Sequence, residues 1–134
     1  MSSTYTTLII FALLIACSSK TKGIECSKCR AGDFIYYYRP ENETIEIKRS
    51  DSLQIEKNLK SGFITKSKVR WLSECEFESI YISSTDLSIE KMADFMKSRK
   101  IVTSILEVNN EYYLSESKIQ GMSLRTRDTT WFKK

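Results

Sequence analysis

The stretch TIEIKRSDSLQIEKNLKSGFITKSKVRWLSECEFESIYI, residues 44–82, decides the fold of this chain. Apolar and polar residues alternate with a period of two along its successive segments, and short polar or glycine-containing turns separate those segments. Such alternation is typical of half-buried antiparallel strands. The stretch therefore predicts an antiparallel meander from Thr44 to Ile82.

The turns of this meander predict a register. KSG, residues 60–62, is typical of a three-residue hairpin loop with Gly62 at the position that requires a positive φ. Residues 72–74 form the next predicted loop, because a shorter loop would place Arg70 opposite Phe77 and turn an apolar set of side chains to the wrong face. The predicted pairs are Leu53 with Val69, Glu56 with Lys66, Leu59 with Phe63, Lys68 with Glu78, Val69 with Phe77, Arg70 with Glu76, and Trp71 with Cys75.

One face of the predicted sheet carries charges of both signs. Lys66, Lys68 and Arg70 share this face and by themselves would indicate a nucleic-acid site. In the predicted register three glutamates lie beside them and neutralise most of the charge, and the whole chain has a net charge of only +4. We therefore interpret this face as solvated and ion-paired, and we expect no nucleic-acid partner. The three glutamates are Glu56, Glu76 and Glu78.

The flanking segments complete a mainly β domain. Residues 30–38, RAGDFIYYY, are typical of a turn and a strand. Residues 86–100 have apolar residues at helical spacing, acids near the start and bases near the end, which predicts one amphipathic helix. IVTSILEV (101–108), EYYLSES (111–117) and GMSLRTR (121–127) predict further strands. We expect a curved sheet or small barrel with this helix, or alternatively an α+β fold in which the helix packs on an open antiparallel sheet.

The N-terminal residues predict export and lipidation. TLIIFALLIA, residues 7–16, is about half as long as a membrane-spanning helix but has the length of a signal-peptide apolar region. LIAC, residues 14–17, resembles the bacterial lipobox, in which the cysteine is acylated and becomes the mature N-terminus. The alternative is an ordinary signal peptide cut near Ala16, which would leave Cys17 free for a disulfide.

These features predict three parts of the chain. Residues 1–16 would be the signal peptide, residues 17–30 a lipid-anchored tether, and residues 31–134 a single β-rich domain. A lipoprotein carrying palmitate or a similar fatty acid on Cys17 would be bound to a membrane of the bacterial cell envelope, with its domain outside the cytoplasm.

The other cysteines are Cys26, Cys29 and Cys75. Cys-x-x-Cys at 26–29 has no preceding strand, as a thioredoxin-like redox site would require. With three cysteines and no histidine, a structural zinc site would lack a fourth ligand. We expect a structural disulfide from Cys29 to Cys75, because Cys29 is nearer to the first strand. Pairing of Cys26 with Cys75, or of Cys26 with Cys29, remains open, and we expect no metal and no cofactor.

Six aromatic residues fall on the expected inner face, where they would contact a ligand or fill the core. Small barrels are usually filled by side chains, so we expect core packing. The function hypotheses are a noncatalytic binding or interaction module for a protein or small apolar ligand, and an envelope enzyme using carboxylates or tyrosine. For the enzyme, the sequence gives no strong reason to place Asp33 beside Glu43. The six aromatics are Phe34, Tyr36, Tyr38, Trp71, Phe77 and Tyr81.

The pattern GDF…IEIKRSDSLQIE…KVRWLSECEF, within residues 32–77, resembles small envelope lipoproteins of flavobacterial type that often carry the name DNA topoisomerase IV. That name does not suit 118 residues after Ala16 with no phosphate-binding loop. The resemblance implies an extracytoplasmic β-rich domain of unknown role, and it implies no catalytic residue. The residues that carry it are Gly32, Phe34, Arg49, Gln54, Glu56, Trp71 and Cys75.

Overall fold

A computed structural model describes residues 25–134, and it shows a closed barrel of eight antiparallel strands joined in sequence order. This confirms the predicted fold class, a mainly β small barrel with a helical segment. The predicted signal peptide and the predicted lipidation at Cys17 lie outside the described residues. The strands are β1 (Gly32–Tyr38), β2 (Glu43–Arg49), β3 (Leu53–Asn58), β4 (Ile64–Trp71), β5 (Glu76–Ser84), β6 (Ile101–Val108), β7 (Tyr112–Ile119) and β8 (Arg125–Phe132).

The predicted register between β3 and β4 is wrong by one residue. Glu56 pairs with Thr65, not with Lys66. The turn explains the shift, because Asn58 N–H donates to the Phe63 carbonyl and the Asn58 side chain accepts from Lys60 N–H and Ser61 N–H, so residues 59–62 form a four-residue loop. Gly62 does have a positive φ, +75°. A one-residue shift exchanges the two faces of β3, so the polar side chains of Gln54 and Glu56 face the barrel interior.

The predicted register between β4 and β5 is wrong by two residues. Trp71 pairs with Phe77 and Arg70 with Glu78, because the loop extends to Cys75 and Leu72 N–H donates to the Glu76 carbonyl. An even shift preserves the faces of the strands. Val69, Trp71 and Phe77 therefore face inward as predicted, and the basic residues of β4 face outward.

The segment between β5 and β6 contains two short helices rather than one continuous helix. They are α1 (Leu87–Glu90) and α2 (Ala93–Lys97). Asp86 caps α1 by accepting from Ser88 N–H, as an acidic N-cap should. No helix within residues 25–134 is long and apolar enough to cross a membrane.

The later strands match the prediction to different degrees. β6 has the predicted bounds, and β7 begins one residue later than expected and runs on to Ile119. β8 begins only at Arg125, because residues 120–124 form the preceding connection, in which Gly121 has a φ of +80°.

The N-terminal plug, the 3-10 helix Cys26–Cys29, packs into the barrel and belongs to the domain rather than to the predicted tether. The disulfide joins Cys26 to Cys75, so the expected pairing of Cys29 with Cys75 is wrong. Residues three apart lie on the same side of a 3-10 helix, and both plug cysteines are therefore fully buried. Cys26 lies against Cys75, with a Cα–Cα distance of 5.1 Å, whereas Cys29 is a free buried thiol.

The plug closes one end of the barrel over a core in which several aromatic rings pack together. Phe34 and Tyr113 meet edge to face with ring centroids 5.8 Å apart, and Phe132 packs against both rings. We call this end the floor. The opposite end, the mouth, contains the connections 39–42, 59–63, 85–100 and 120–124, and several of its large apolar side chains are exposed. The floor core consists of Cys26, Cys29, Phe34, Ile47, Ile105 and Tyr113.

The barrel wall is incompletely paired at one place. β1 and β8 pair only at Phe34–Phe132, Ile35–Trp131 and Tyr36–Thr130. Toward the mouth, residues 37–38 and 125–129 of the described structure keep their pairing with β2 and β7 but not with each other. We call this unpaired stretch the seam.

Candidate ligand-binding site

The half of the barrel nearer the mouth is hollow. A cavity of about 300 Å³ lies above the floor core, which is at the small end of the range for ligand pockets. Its lining mixes apolar side chains with hydroxyl and charged groups. The apolar residues include Ile47, Phe77, Ile101, Ile119 and Leu124; the hydroxyl residues are Tyr36, Ser79, Thr103, Tyr113, Ser115, Ser117, Thr126 and Thr130; the charged residues are Arg49, Glu56, Lys118 and Asp128.

Arg49, the last residue of β2, forms the base of this cavity. It is buried, and its guanidinium donates to the Gln54 side chain (2.7 Å), the Cys29 carbonyl (2.7 Å) and the Tyr113 hydroxyl (3.0 Å). The same group lies over the rings of Phe77, Phe34 and Tyr113, at 4.6, 5.0 and 5.9 Å from their centroids. Arg49 thus connects the plug to three strands, and cation–π contacts stabilise its charge.

Gln54 links Arg49 to Glu56. Its carbonyl oxygen accepts from Arg49, so its amide must point the other way, where it donates to Glu56 Oε1 at 2.5 Å. Burial raises the pKa of Glu56, while the Gln54 hydrogen bond and the Arg49 charge lower it less. The net shift is upward, so the protein environment disfavours the ionised form of this carboxyl group.

A second carboxylate, Asp128 on β8, faces the cavity from the other side of β1. Tyr36 donates to Asp128 Oδ1 at 3.0 Å. Burial, together with the negative charges of Asp128 and Glu56, raises the pKa of Tyr36 to about 12. Tyr36 therefore lies in the field of both carboxylates.

Two further spaces adjoin the cavity. One, of about 160 Å³, lies beneath α2 and is bordered by Phe95, Met96 and Arg99. It shares Glu56 and Ser79 with the main cavity. The other is a cleft of about 700 Å³ along the seam. It shares Tyr36, Thr126 and Asp128 with the main cavity, so the Tyr36–Asp128 hydrogen bond separates the interior from the seam.

The six predicted aromatics divide between core and cavity. Phe34 is in the floor core, Trp71 packs against it, and Tyr81 is buried and donates to Glu90. Tyr36 and Phe77 line the cavity. The sixth, Tyr38, lies 38% exposed near the mouth.

Asp33 and Glu43 are not brought together. Asp33 pairs with Lys48 and Glu43 with Tyr38, so the two carboxylates lie at opposite ends of the first hairpin. Within residues 25–134 no group of three or more cysteines, aspartates or glutamates is placed to hold a metal ion.

The cavity residues Arg49, Glu56, Tyr113 and Asp128 were not predicted as a site, although the resemblance included the first two. The alternation of Ile45 and Ile47 continues to position 49 and signals that Arg49 points inward. No such signal marks Glu56 or Asp128, because the β3 register and the start of β8 were misplaced. Comparisons with protein-family models, with curated proteins and with solved structures find no match.

Proposed function

We propose that this protein is a noncatalytic binding module of the bacterial cell envelope that holds a small molecule inside its barrel. The observation that supports it is the cavity of about 300 Å³ above the floor core, in which polar groups from several strands converge among apolar side chains. A fold by itself does not determine a function, so the proposal depends on this cavity.

The division of the barrel interior supports this proposal. An eight-stranded barrel is just wide enough to be filled by side chains or to hold one small ligand. Here aromatic residues fill the floor half, while serines and threonines leave space in the other half. The hydroxyl groups favour a ligand with polar groups as well as the apolar part that the sequence led us to expect.

Native mass spectrometry of the full chain, purified gently from the producing cells, tests this proposal. We expect a small molecule to be retained by the wild type and by Ile80→Phe, which adds a ring to the outer face of β5. Ser79→Phe, which fills the cavity from the same strand, should abolish retention. Thr126→Phe at the exposed border of the cavity is a second blocking variant should Ser79→Phe not fold. Equal retention by folded blocking and control variants would contradict the proposal.

The same experiment separates the binding module from the alternative, an envelope enzyme. In this barrel carboxylate or tyrosine chemistry would have to use Glu56, Asp128 or Tyr36, which all line the cavity. The pKa of Glu56 is raised, and Tyr36 donates a hydrogen bond to Asp128. If the protein is a binding module, we expect the retained molecule to be recovered chemically unchanged after incubation. Chemical conversion that Glu56→Gln abolishes would favour the enzyme.

We also propose that the domain is attached to a membrane through an acyl group on Cys17. The Cys26–Cys75 disulfide supports a location outside the cytoplasm, because such bonds persist in oxidising compartments. Cells supplied with radioactive palmitate should label the wild type but not Cys17→Ala, and the variant should move to the soluble fraction. Equal labelling of both proteins would contradict the anchor.

A further inference from the structure

The acidic and basic side chains in the enclosed part of the cavity are not equal in number. Arg49 at its base faces two carboxylates, Glu56 and Asp128. Lys118 also borders the cavity, but its side chain is exposed on the outer face of β7, where water screens its charge. The enclosed part of the cavity thus holds two carboxyl groups and one basic group.

Arg49 is already occupied by structural contacts. All three of its nitrogens donate to protein acceptors, and three aromatic rings cover the guanidinium. A ligand carboxylate at Arg49 would have to compete with these contacts and would lie near two other carboxylates. The base of the cavity is therefore poorly suited to an anion.

Glu56 and Asp128 each use only one carboxyl oxygen in a hydrogen bond. Glu56 Oε1 accepts from Gln54, and Asp128 Oδ1 accepts from Tyr36. Within residues 25–134 the second oxygen of each carboxylate has no hydrogen-bond partner, and both residues line the cavity. Two carboxyl oxygens thus remain available to a ligand, and a cation bound beside Glu56 would favour the ionised form that burial disfavours.

We propose that the ligand of this cavity is a small amphipathic amine, whose protonated nitrogen binds between Glu56 and Asp128 while its apolar part lies against Ile47, Ile101 and Leu124. This inference depends on the proposed function, that the cavity holds a small molecule. An ammonium group has three donors and no acceptor, so it satisfies both carboxylates and one of the neighbouring hydroxyl groups. Hydrogen bonds of this kind, with both partners charged, are the strong ones.

Three probes with the same phenyl body separate the amine from other ligand classes. They are 2-phenylethylamine, 2-phenylethanol and 3-phenylpropionate, titrated at neutral pH into the full chain by isothermal calorimetry. We expect the amine to bind at least tenfold more tightly than either other probe, which corresponds to one charged hydrogen bond.

Charge variants test where the amine binds. Glu56→Gln combined with Asp128→Asn should weaken binding of 2-phenylethylamine at least tenfold. Glu116→Gln removes one negative charge from the outer face of β7, where Glu116 pairs with Arg125 and Arg127, and should leave the affinity within about twofold. Loss of binding in both variants to the same extent would show a general charge effect and would overturn the inference.

The outcomes for the amine and for the cavity are distinguishable. If the carboxylate or the alcohol binds as tightly as the amine, or if no probe binds, the amine inference is wrong. The binding proposal then still stands if Ser79→Phe removes a retained molecule that Ile80→Phe keeps. If neither variant changes what is retained, the proposed function is wrong as well.

Discussion

Arg49 is the residue on which the floor of the barrel depends. Its guanidinium satisfies a plug carbonyl, a β3 amide and a β7 hydroxyl at the same time. Removing a buried charged donor leaves its former acceptors without partners, and each unsatisfied buried group costs free energy. The stability of the plug and of the cavity base therefore rests on one side chain.

We predict that Arg49→Met lowers the free energy of unfolding by about 3 kcal/mol, because it breaks a buried charged network. Urea denaturation of the full chain, followed by circular dichroism, measures this change. Lys68→Met is the control, since Lys68 is exposed on the outer face of β4 and its loss should change stability by less than about 0.5 kcal/mol. An Arg49→Met effect as small as that of the control would contradict the role assigned to Arg49.

Glu56 makes the stability of the barrel depend on pH. Because its pKa is raised above the ordinary value of 4.5, the folded state binds a proton more tightly than the unfolded state. The contribution of this group to stability therefore falls as pH rises above 4.5 and through the folded pKa. The charged and titratable groups around it are Tyr36, Arg49, Tyr81, Arg99 and Asp128.

We predict that Glu56→Gln is as stable as the wild type near pH 4 and increasingly more stable than it as the pH rises to 8. Glutamine keeps an oxygen that accepts from Gln54 but cannot ionise. Thermal unfolding of both proteins over this pH range measures the difference between their stabilities. The other carboxyl groups affect both proteins equally, so their effects cancel in that difference. A difference that shrinks with rising pH would show that the pKa of Glu56 is lowered instead.

The N-terminal plug acts as a structural element through its disulfide. Cys26 and Cys75 are 49 residues apart, and closing a loop of that size removes about 4 kcal/mol of unfolded-chain entropy. Burial raises the pKa of the free Cys29 thiol to about 11, although the positive charges of Arg49 and Lys28 lower it to a smaller extent. Cys29 is therefore protonated and unreactive at neutral pH.

We predict that the paired double variant Cys26→Ala, Cys75→Ala loses about 4 kcal/mol of stability, and that it loses clearly more than Cys29→Ala. Tryptic mapping without reduction checks the pairing directly, because Lys28 separates the two plug cysteines. The peptide ending at Lys28 should be linked to the one beginning at Trp71. A link from the Cys29 dipeptide to that peptide would contradict this structure.

The seam should be the weakest part of the barrel wall. Backbone directions alternate along a strand, and Lys133 N–H donates to the Asp33 carbonyl. Odd-numbered residues of β1 and β8 therefore direct their N–H groups toward each other. At the seam these include Tyr37, Arg127 and Thr129, which have no backbone partner there in the described structure.

We predict that the amides of Tyr37, Arg127 and Thr129 exchange with solvent much faster than those of Ile35 and Trp131. The two control residues lie in the paired part of the same strands. Hydrogen exchange followed by NMR measures these rates. Equal protection along both strands would show that β1 and β8 are paired up to the mouth in solution.

At the level of elements, the strands were largely predictable and their register was not. Period-two alternation located most of the strands, but Asn58 closes the β3–β4 turn with its own side chain, and two more residues than expected separate Trp71 from its partner on β5. Helical spacing over residues 86–100 could not show that the helix is interrupted at Lys91 and Met92. These details depend on local hydrogen bonds rather than on hydrophobic pattern.

At the scale of the whole molecule, the barrel combines a filled floor with a hollow upper half. The plug lies at the floor, and the cavity opens toward the other end. The sequence predicted inward aromatics but not the cavity, because an inward Gln54 and Glu56 violate the rule that polar side chains face solvent. Such exceptions are expected at functional sites.

A crystal structure of the full chain with 2-phenylethylamine tests the central claim most directly. We predict electron density for the probe within the cavity, with its nitrogen within hydrogen-bond distance of both Glu56 and Asp128 and its ring near Ile47 and Ile101. A barrel interior filled by side chains, or a probe bound only outside the barrel, would contradict the account.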